Sequence, residues 1–221
     1  MTDSPITTQS SHAAQKHASW QHAESRGVET DVLRRARERS TELGVRPVSE
    51  GTASLLTVLA AASGASAAVE VGTGAGVSGL ALMAGLSASA VLTTLDPNGD
   101  AQRAAREAFG EARLPTQRTR MITGLSRTVL PRLSAGSYEL VVLDGDPGSL
   151  AFDVAQARRM LRPGGLLVVV DSLHGDRVPR PAVRDAVTVA HRTVDKALRE
   201  DEAWVSSVVP TGTGVLLAVR R

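Results

Sequence analysis

The sequence predicts an α/β fold: a mostly parallel sheet with helices on both faces, finished by an antiparallel hairpin. Three observations predict it. Short apolar runs recur along the chain, and several of them end in an acid. Helical patterns separate these runs from residue 67 to about residue 200, the rhythm of parallel strands joined by crossover helices. The last two β-rich runs, Trp204–Val209 and 215–219, are joined only by Pro210-Thr-Gly-Thr-Gly214, with no helix between them. Such a pair forms a hairpin.

Composition sets the bounds. A chain of 221 residues fits one domain with a sizeable core. Apolar residues make up 42% but aromatics only 2%, so the core must be built from Val, Leu and Ala. A net charge of +2 without a basic stripe does not mark a nucleic-acid binder. The lack of cysteine excludes disulfides, thiolate metal sites and a cysteine nucleophile. No apolar run reaches the ~18 residues of a membrane span. The N-terminus lacks the apolar core of a signal peptide. The expectation is a soluble, cytoplasmic protein whose partners are neither nucleic acid nor membrane.

Residues 1–25 are rich in Ser, Thr, Gln, His and Ala without periodicity and read as a mobile tail; residues 26–221 read as the folded domain. His12, His17 and His22 recur every five residues, off any single helix face, and read as solvated side chains. Thr30 is placed to cap a helix over 31–43, with Asp31 in its first turn and Gly44 as its stop. Ser49 introduces a second helix over 50–62, with Leu55, Leu56 and Leu59 on its apolar face. Ala67–Val71 is a buried strand. A helix over 77–83 follows, then a strand over 91–95 ending in Asp96 and a helix over 101–112. A short strand, 120–122, precedes a helical turn or two over 126–133. Tyr138–Leu143 reads as a strong buried strand ending in Asp144. The helix 150–161 is stopped by Pro163-Gly164-Gly165, and the strand 166–170 ends in Asp171. A long helix over 181–199 tolerates Pro181 in its first turn.

The chain is organised around Val69-Glu-Val-Gly-Thr-Gly-Ala-Gly-Val-Ser78. A glycine-rich turn between a strand and a helix places backbone N–H groups where they can hold a carboxylate or phosphate. Gly74-x-Gly76-x-x-Gly79 fits the dinucleotide pattern, with Asp96 at the spacing of a ribose-binding acid. An NAD-binding oxidoreductase is therefore one reading. Two features oppose it. Glu70, at the strand end, would face a pyrophosphate unfavourably. Asp144, Asp146 and Asp171 end later strands around the same crevice. Carboxylates around a glycine turn suit S-adenosylmethionine, which carries a sulfonium, an ammonium and one carboxylate. The terminal hairpin points the same way.

The ordered set of motifs resembles the bacterial, especially actinobacterial, members of the catechol and caffeoyl-CoA O-methyltransferase family. It comprises the glycine turn, Thr93-Thr-Leu-Asp96, Leu143-Asp-Gly-Asp146, Leu161-Arg-Pro-Gly-Gly165, Asp171 and the Gly212-x-Gly214 hairpin. The resemblance implies a class I methyltransferase, Rossmann-like sheet and an S-adenosylmethionine-dependent O-methyltransferase acting on a small hydroxylated molecule. It also implies a homodimer whose interface uses the two helices ahead of the sheet. By matching position, Gly72 and Ser78 hold the methionine carboxylate, and Glu70, Thr73 and Gly74 of the same turn are expected to bind the cofactor with them. Asp96 binds the ribose hydroxyls, since two acceptor oxygens suit a vicinal diol. Val48 meets the methionine moiety through its backbone. Ser126 matches the adenine-edge contact, or else caps a helix, and Asp144 lies near the cofactor amine.

The departures concern chemistry. Family members that need Mg²⁺ bind it through an acid at the position of Asp144 and a later Asp-Asn pair. Here the pair is Asp171-Ser172, and the family's catalytic lysine position is Pro147. The residues admit Mg²⁺ but do not favour it, and no metal ligand is assigned. Asp144 and His174 are the catalytic candidates, with Asp146 the other group able to take a proton. His174 is a candidate general base because an imidazole is the side chain suited to exchanging a proton at neutral pH. The acceptor lid is expected from the region before Gly51 and the loops 147–151 and 174–181, none of which supplies an aromatic wall. The missing lysine and third ligand also motivate a second reading, a cofactor-binding sensor or partner subunit without activity.

Overall fold

The structure, a computed structural model, describes the backbone of residues 5–221 and the side chains from residue 14 onward. Ahead of the sheet lie three helices: α1 (Pro5–Glu24), α2 (Asp31–Glu42) and α3 (Glu50–Ser63). There follow β1 (Ala67–Val71), α4 (Val77–Gly85), β2 (Val91–Asp96), α5 (Gly99–Glu111), β3 (Thr119–Thr123) and the short α6 (Ser126–Val129). The chain then forms β4 (Tyr138–Leu143), α7 (Leu150–Met160), β5 (Leu161–Val170), α8 (Ala186–Glu200), β6 (Trp204–Val209) and β7 (Val215–Arg220).

The sheet has seven strands in the order β3-β2-β1-β4-β5-β7-β6. Strands β1 to β5 pair in parallel, whereas β7 runs antiparallel between β5 and β6. The expected class I methyltransferase sheet is present, hairpin included. Strand alternation sorts the core into two layers. Ala68, Leu140, Val142 and Val168 face the layer that also holds Leu56, Leu80, Leu82 and Phe109, from α3, α4 and α5. Val69, Val71, Val141, Leu143, Leu167 and Val169 face Met160, Val194 and Leu198, from α7 and α8. The strand order reverses between β1 and β4, so their carboxyl ends frame the crevice where α/β sheets take ligands.

Local signals account for most element ends. Thr30 and Ser49 accept hydrogen bonds from the backbone N–H of Leu33 and Thr52, capping α2 and α3. Two boundaries differ from the sequence reading. Leu161 is extended, fully buried and paired with Tyr138, so β5 begins there, before a register shift, and takes in Pro163-Gly164-Gly165. Helix α8 begins at Ala186, because Asp185 caps it through Thr188 N at 3.0 Å and Thr188 Oγ1 at 2.8 Å. Pro181 thus lies outside the helix. The Arg192 guanidinium donates to the carbonyls of Arg177, Val178, Arg180 and Val183, holding the preceding segment as turns.

The largest difference lies at the start. Pro5–Glu24 is a helix where the sequence reads as an aperiodic tail; residues 1–4 and the side chain of His12 lie outside the described residues. Its last turn is docked onto the domain. Trp20 Nε1 donates to the Pro210 carbonyl at 2.9 Å. Glu24 accepts from Thr211 Oγ1 and from the Gly212 N–H, both at 2.6 Å, and from the Gly51 N–H at 3.3 Å. These bonds hold its carboxyl below the usual range against the opposing cost of burial.

Candidate active site

The crevice has two compartments. The inner one, about 90 Å³, is walled by 45–48, the turn Gly72–Ser78, Asp96 and Asp144. Gly72 takes φ 94°, and a Cβ there would lie 2.1 Å from the Asp144 carbonyl oxygen. Only glycine lets the ends of β1 and β4 meet so closely. The Gly72 N–H donates to the Leu95 carbonyl at 2.8 Å, tying the turn to β2 as well. Asp96 is divided between its two oxygens: Oδ2 accepts the Gly74 N–H at 3.0 Å and Oδ1 the Asn98 N–H at 2.8 Å. Each oxygen keeps a lone pair for a further donor.

Beneath the turn runs a buried relay. Gln102 Nε2 donates to Thr73 Oγ1 at 2.9 Å; Thr73 and Thr94 hydroxyls lie 2.6 Å apart; Thr94 Oγ1 donates to Glu70 Oε2 at 2.6 Å. Glu70 is fully buried, and burial raises its carboxyl to about 7, against hydrogen bonds from Thr94 and Ser78. It supports the turn from below and is not part of the crevice wall. Ser78 does both, bonding Glu70 and facing the inner compartment.

The outer compartment, about 510 Å³, is walled by Trp20 and Glu24 of α1, residues 46–49 and Thr52, Val170 and Asp171, and Gly212 and Thr213. Asp144, Arg46, Pro47 and Val48 line both compartments and form their junction. Asp144 is the most perturbed acid there. Burial first, then the charges of Glu70 and Asp171, push it up to about 8, with Arg46 pulling the other way. The backbone carbonyl of Val48 accepts from the Arg37 guanidinium, which also binds Glu29, so the strap 45–49 is fixed to α2.

The methyltransferase-domain family model matches residues 69–172, the stretch from the glycine turn to Ser172. A Mycobacterium ulcerans protein, named as a candidate O-methyltransferase, is 45% identical over 199 residues, covering 90% of this chain and 89% of its own. The chain belongs to the actinobacterial O-methyltransferases. A Corynebacterium glutamicum crystal structure matches this O-methyltransferase with a TM-score of 0.83 at 31% identity, over 94% of this chain and 97% of its own. The fold is shared further afield by the Streptomyces achromogenes O-methyltransferase TomG, solved in complex with SAM. Its TM-score is 0.80 at 24% identity, over 88% of this chain and 91% of its own.

In this O-methyltransferase the sequence-derived residues divide into three groups. Val48, Gly72, Thr73, Gly74, Ser78, Asp96 and Asp144 converge on the inner compartment. Ser126 begins α6 with Leu125 at the cap position, and it lies outside both compartments, beside the buried Asp153. His174 is also off the wall. Its Nδ1 lies 3.1 Å from Asp171 Oδ2, so it reaches the crevice only through Asp171. The loops 147–151 and 174–181 contribute nothing to the outer wall, and Asp146 instead caps Gly148. Trp20, Glu24, Arg46 and Thr213 do contribute, and sequence reasoning missed them. Trp20 supplies an aromatic wall that the reading of residues 1–25 as a tail overlooked. Its only local signal was a tryptophan amid polar residues.

Proposed function

We propose that the chain is a cytoplasmic homodimer that transfers the methyl group of S-adenosylmethionine to a hydroxyl oxygen of a small, planar acceptor, without requiring Mg²⁺. The observation that carries this is Asp144, a carboxyl raised to about 8 at the junction of the two compartments. The inner site fits the cofactor by its donor set. Backbone N–H groups of Val77 and Ser78 at the start of α4 suit a carboxylate, Asp96 suits a diol, and Asp144 suits a cation. When bound, S-adenosylmethionine supplies an electrophilic methyl group on a sulfonium. Asp144 is mostly protonated in the free protein at neutral pH. A cation beside it favours its ionised form, and the carboxylate is then free to take the acceptor's hydroxyl proton. Alignment of acceptor against donor supplies much of the remaining acceleration.

Trp20 supports a planar acceptor, because an indole face offers a large flat apolar contact with its N–H satisfied at Pro210. Trp20→Ala should raise KM for an aromatic hydroxylated acceptor about tenfold, the scale of one aromatic contact, and leave S-adenosylhomocysteine affinity unchanged. A panel of phenols and non-aromatic alcohols, followed by product mass, checks this. Equal losses on both classes would remove Trp20 as the determinant.

The Mg²⁺ expectation follows from the ligands. Mg²⁺ demands near-octahedral oxygen coordination. Asp144 and Asp171 offer only two carboxylates, one oxygen of Asp171 is already engaged by His174, and Ser172 is buried outside the wall. Turnover should therefore be unchanged in EDTA. Loss of activity in EDTA, restored by added Mg²⁺, would overturn this.

For the dimer, the support is an apolar groove of about 640 Å³ between α2, α3, α4 and α5, beside the fully exposed Val28. Light scattering at low micromolar concentration should give twice the chain mass of 23.1 kDa. A single-chain mass would exclude it. Among the described residues no helix is long and apolar enough to cross a membrane.

A further inference from the structure

Behind the outer wall, three side chains from two elements meet. Asp171 and His174 lie on the turn after β5, and His191 lies on α8. Each offers one ligand atom, and these atoms all lie within 4.8 Å of one another. Among the described residues no other group of three His, Asp or Glu side chains does so. The two imidazoles stack, with centroids 6.0 Å apart and planes 19° apart.

Two of the three are short of partners. His191 is 5% exposed, and its Nε2 is buried with no hydrogen-bond partner. Asp171 Oδ1 is buried and equally unpartnered. A buried polar atom without a partner is destabilising, so an occupant that satisfies both is favoured. The turn is held ready to present these groups. Asp171 and His174 take φ 57° and 45°, and the Leu173 N–H is fixed to the Thr213 carbonyl at 2.9 Å. An outer partner exists too: His174 Nε2 faces Asp185 Oδ1 at 3.9 Å, where a small shift gives the carboxylate–histidine support common around metal ligands.

We propose that Asp171, His174 and His191 form a binding site for a borderline divalent transition cation of the Zn²⁺ class. Two imidazoles and one carboxylate are the donor set such ions take, with a remaining position for water. The same set is poor for Mg²⁺, which prefers oxygen. An ion held by Asp171 lies at the wall of the outer compartment. It also occupies His174. Zn²⁺ therefore acts on Asp171 from behind, away from the donor crevice. The binding itself does not rest on the methyl-transfer reading.

The test uses the full chain after treatment with EDTA and dialysis. Zn²⁺ is titrated against a chromophoric chelator, and Co²⁺ binding is followed by its visible absorption. The expected result is a site that millimolar Mg²⁺ does not displace. His174→Gln and His191→Gln should each weaken it at least tenfold, and Asp185→Asn about tenfold. His17 and His22 offer imidazoles elsewhere, so the loss in these variants, and not stoichiometry alone, identifies the site. His191 is buried, so thermal melting checks its variant; the half-buried His174 carries the test if that variant does not fold. Zn²⁺ affinity equal in the wild type and His174→Gln, or displacement of Zn²⁺ by Mg²⁺, would overturn the proposal. No turnover is measured, so an inactive protein leaves the result readable.

Discussion

Asp144→Asn should lower the rate of methyl transfer by about 10²–10⁴-fold, the usual contribution of a positioned general base. Asp144 is the acid common to both compartments, and Pro147 stands where the family's lysine would take the proton. His174 cannot substitute directly, being screened from the wall by Asp171. The amide also removes a titration. In the wild type Asp144 is raised from 3.8 to about 8 by burial, Glu70, Asp171 and Asp96, with Arg46 opposing. A cation binds the ionised form better. Below about 8, binding must therefore displace a proton, and affinity should climb as pH rises toward that value, then level off. Asp144→Asn should flatten this climb. Calorimetry with S-adenosylmethionine across that pH range, in two buffers of different ionisation enthalpy, reads the released proton. A variant that retains the full rate would move the base elsewhere. A pH slope that survives the substitution would assign the proton to another group.

Asp96→Ala should weaken S-adenosylhomocysteine binding by about 1.5–3 kcal/mol, the range for hydrogen bonds to a charged group, or roughly 10- to 150-fold. The carboxylate does more than offer two oxygens to a diol. It accepts the Gly74 N–H and the Asn98 N–H, so it joins the turn after β1 to the start of α5. Asp96→Asn separates the two roles, because the amide keeps one acceptor and loses the charge. It should recover part of the lost affinity. If Asp96→Ala binds as the wild type does, Asp96 is removed from the ribose site.

Much of this was legible in the sequence, for local reasons. Ala67–Val71 and Tyr138–Leu143 fall where the apolar runs lie, because turn residues bound both and burial on both faces requires continuous apolar chain. Asp96, Asp144 and Asp171 reach the crevice because the parallel strands β2, β4 and β5 bring their carboxyl ends to one edge. The failures are non-local. Pro181 reads as a good first-turn residue, and only the bonds of Arg192 to four carbonyls show that the segment before α8 is otherwise engaged. Residues 14–24 lack an apolar stripe, since the helix there docks by one indole and one carboxylate to residues about 190 positions away. The carboxylate and two imidazoles near Asp171 were equally hidden, because His191 stands seventeen positions beyond His174 on another element.

The Glu24 clasp has a consequence for how the molecule is made. The inner compartment needs nothing beyond Asp144, so its parts exist once about two thirds of the chain has been synthesised. The outer compartment needs Gly212 and Thr213, and Glu24 waits for the same loop. A polypeptide cut short before residue 210 would carry every residue of the inner compartment, but it would lack β7 between β5 and β6 and the loop that Glu24 clasps.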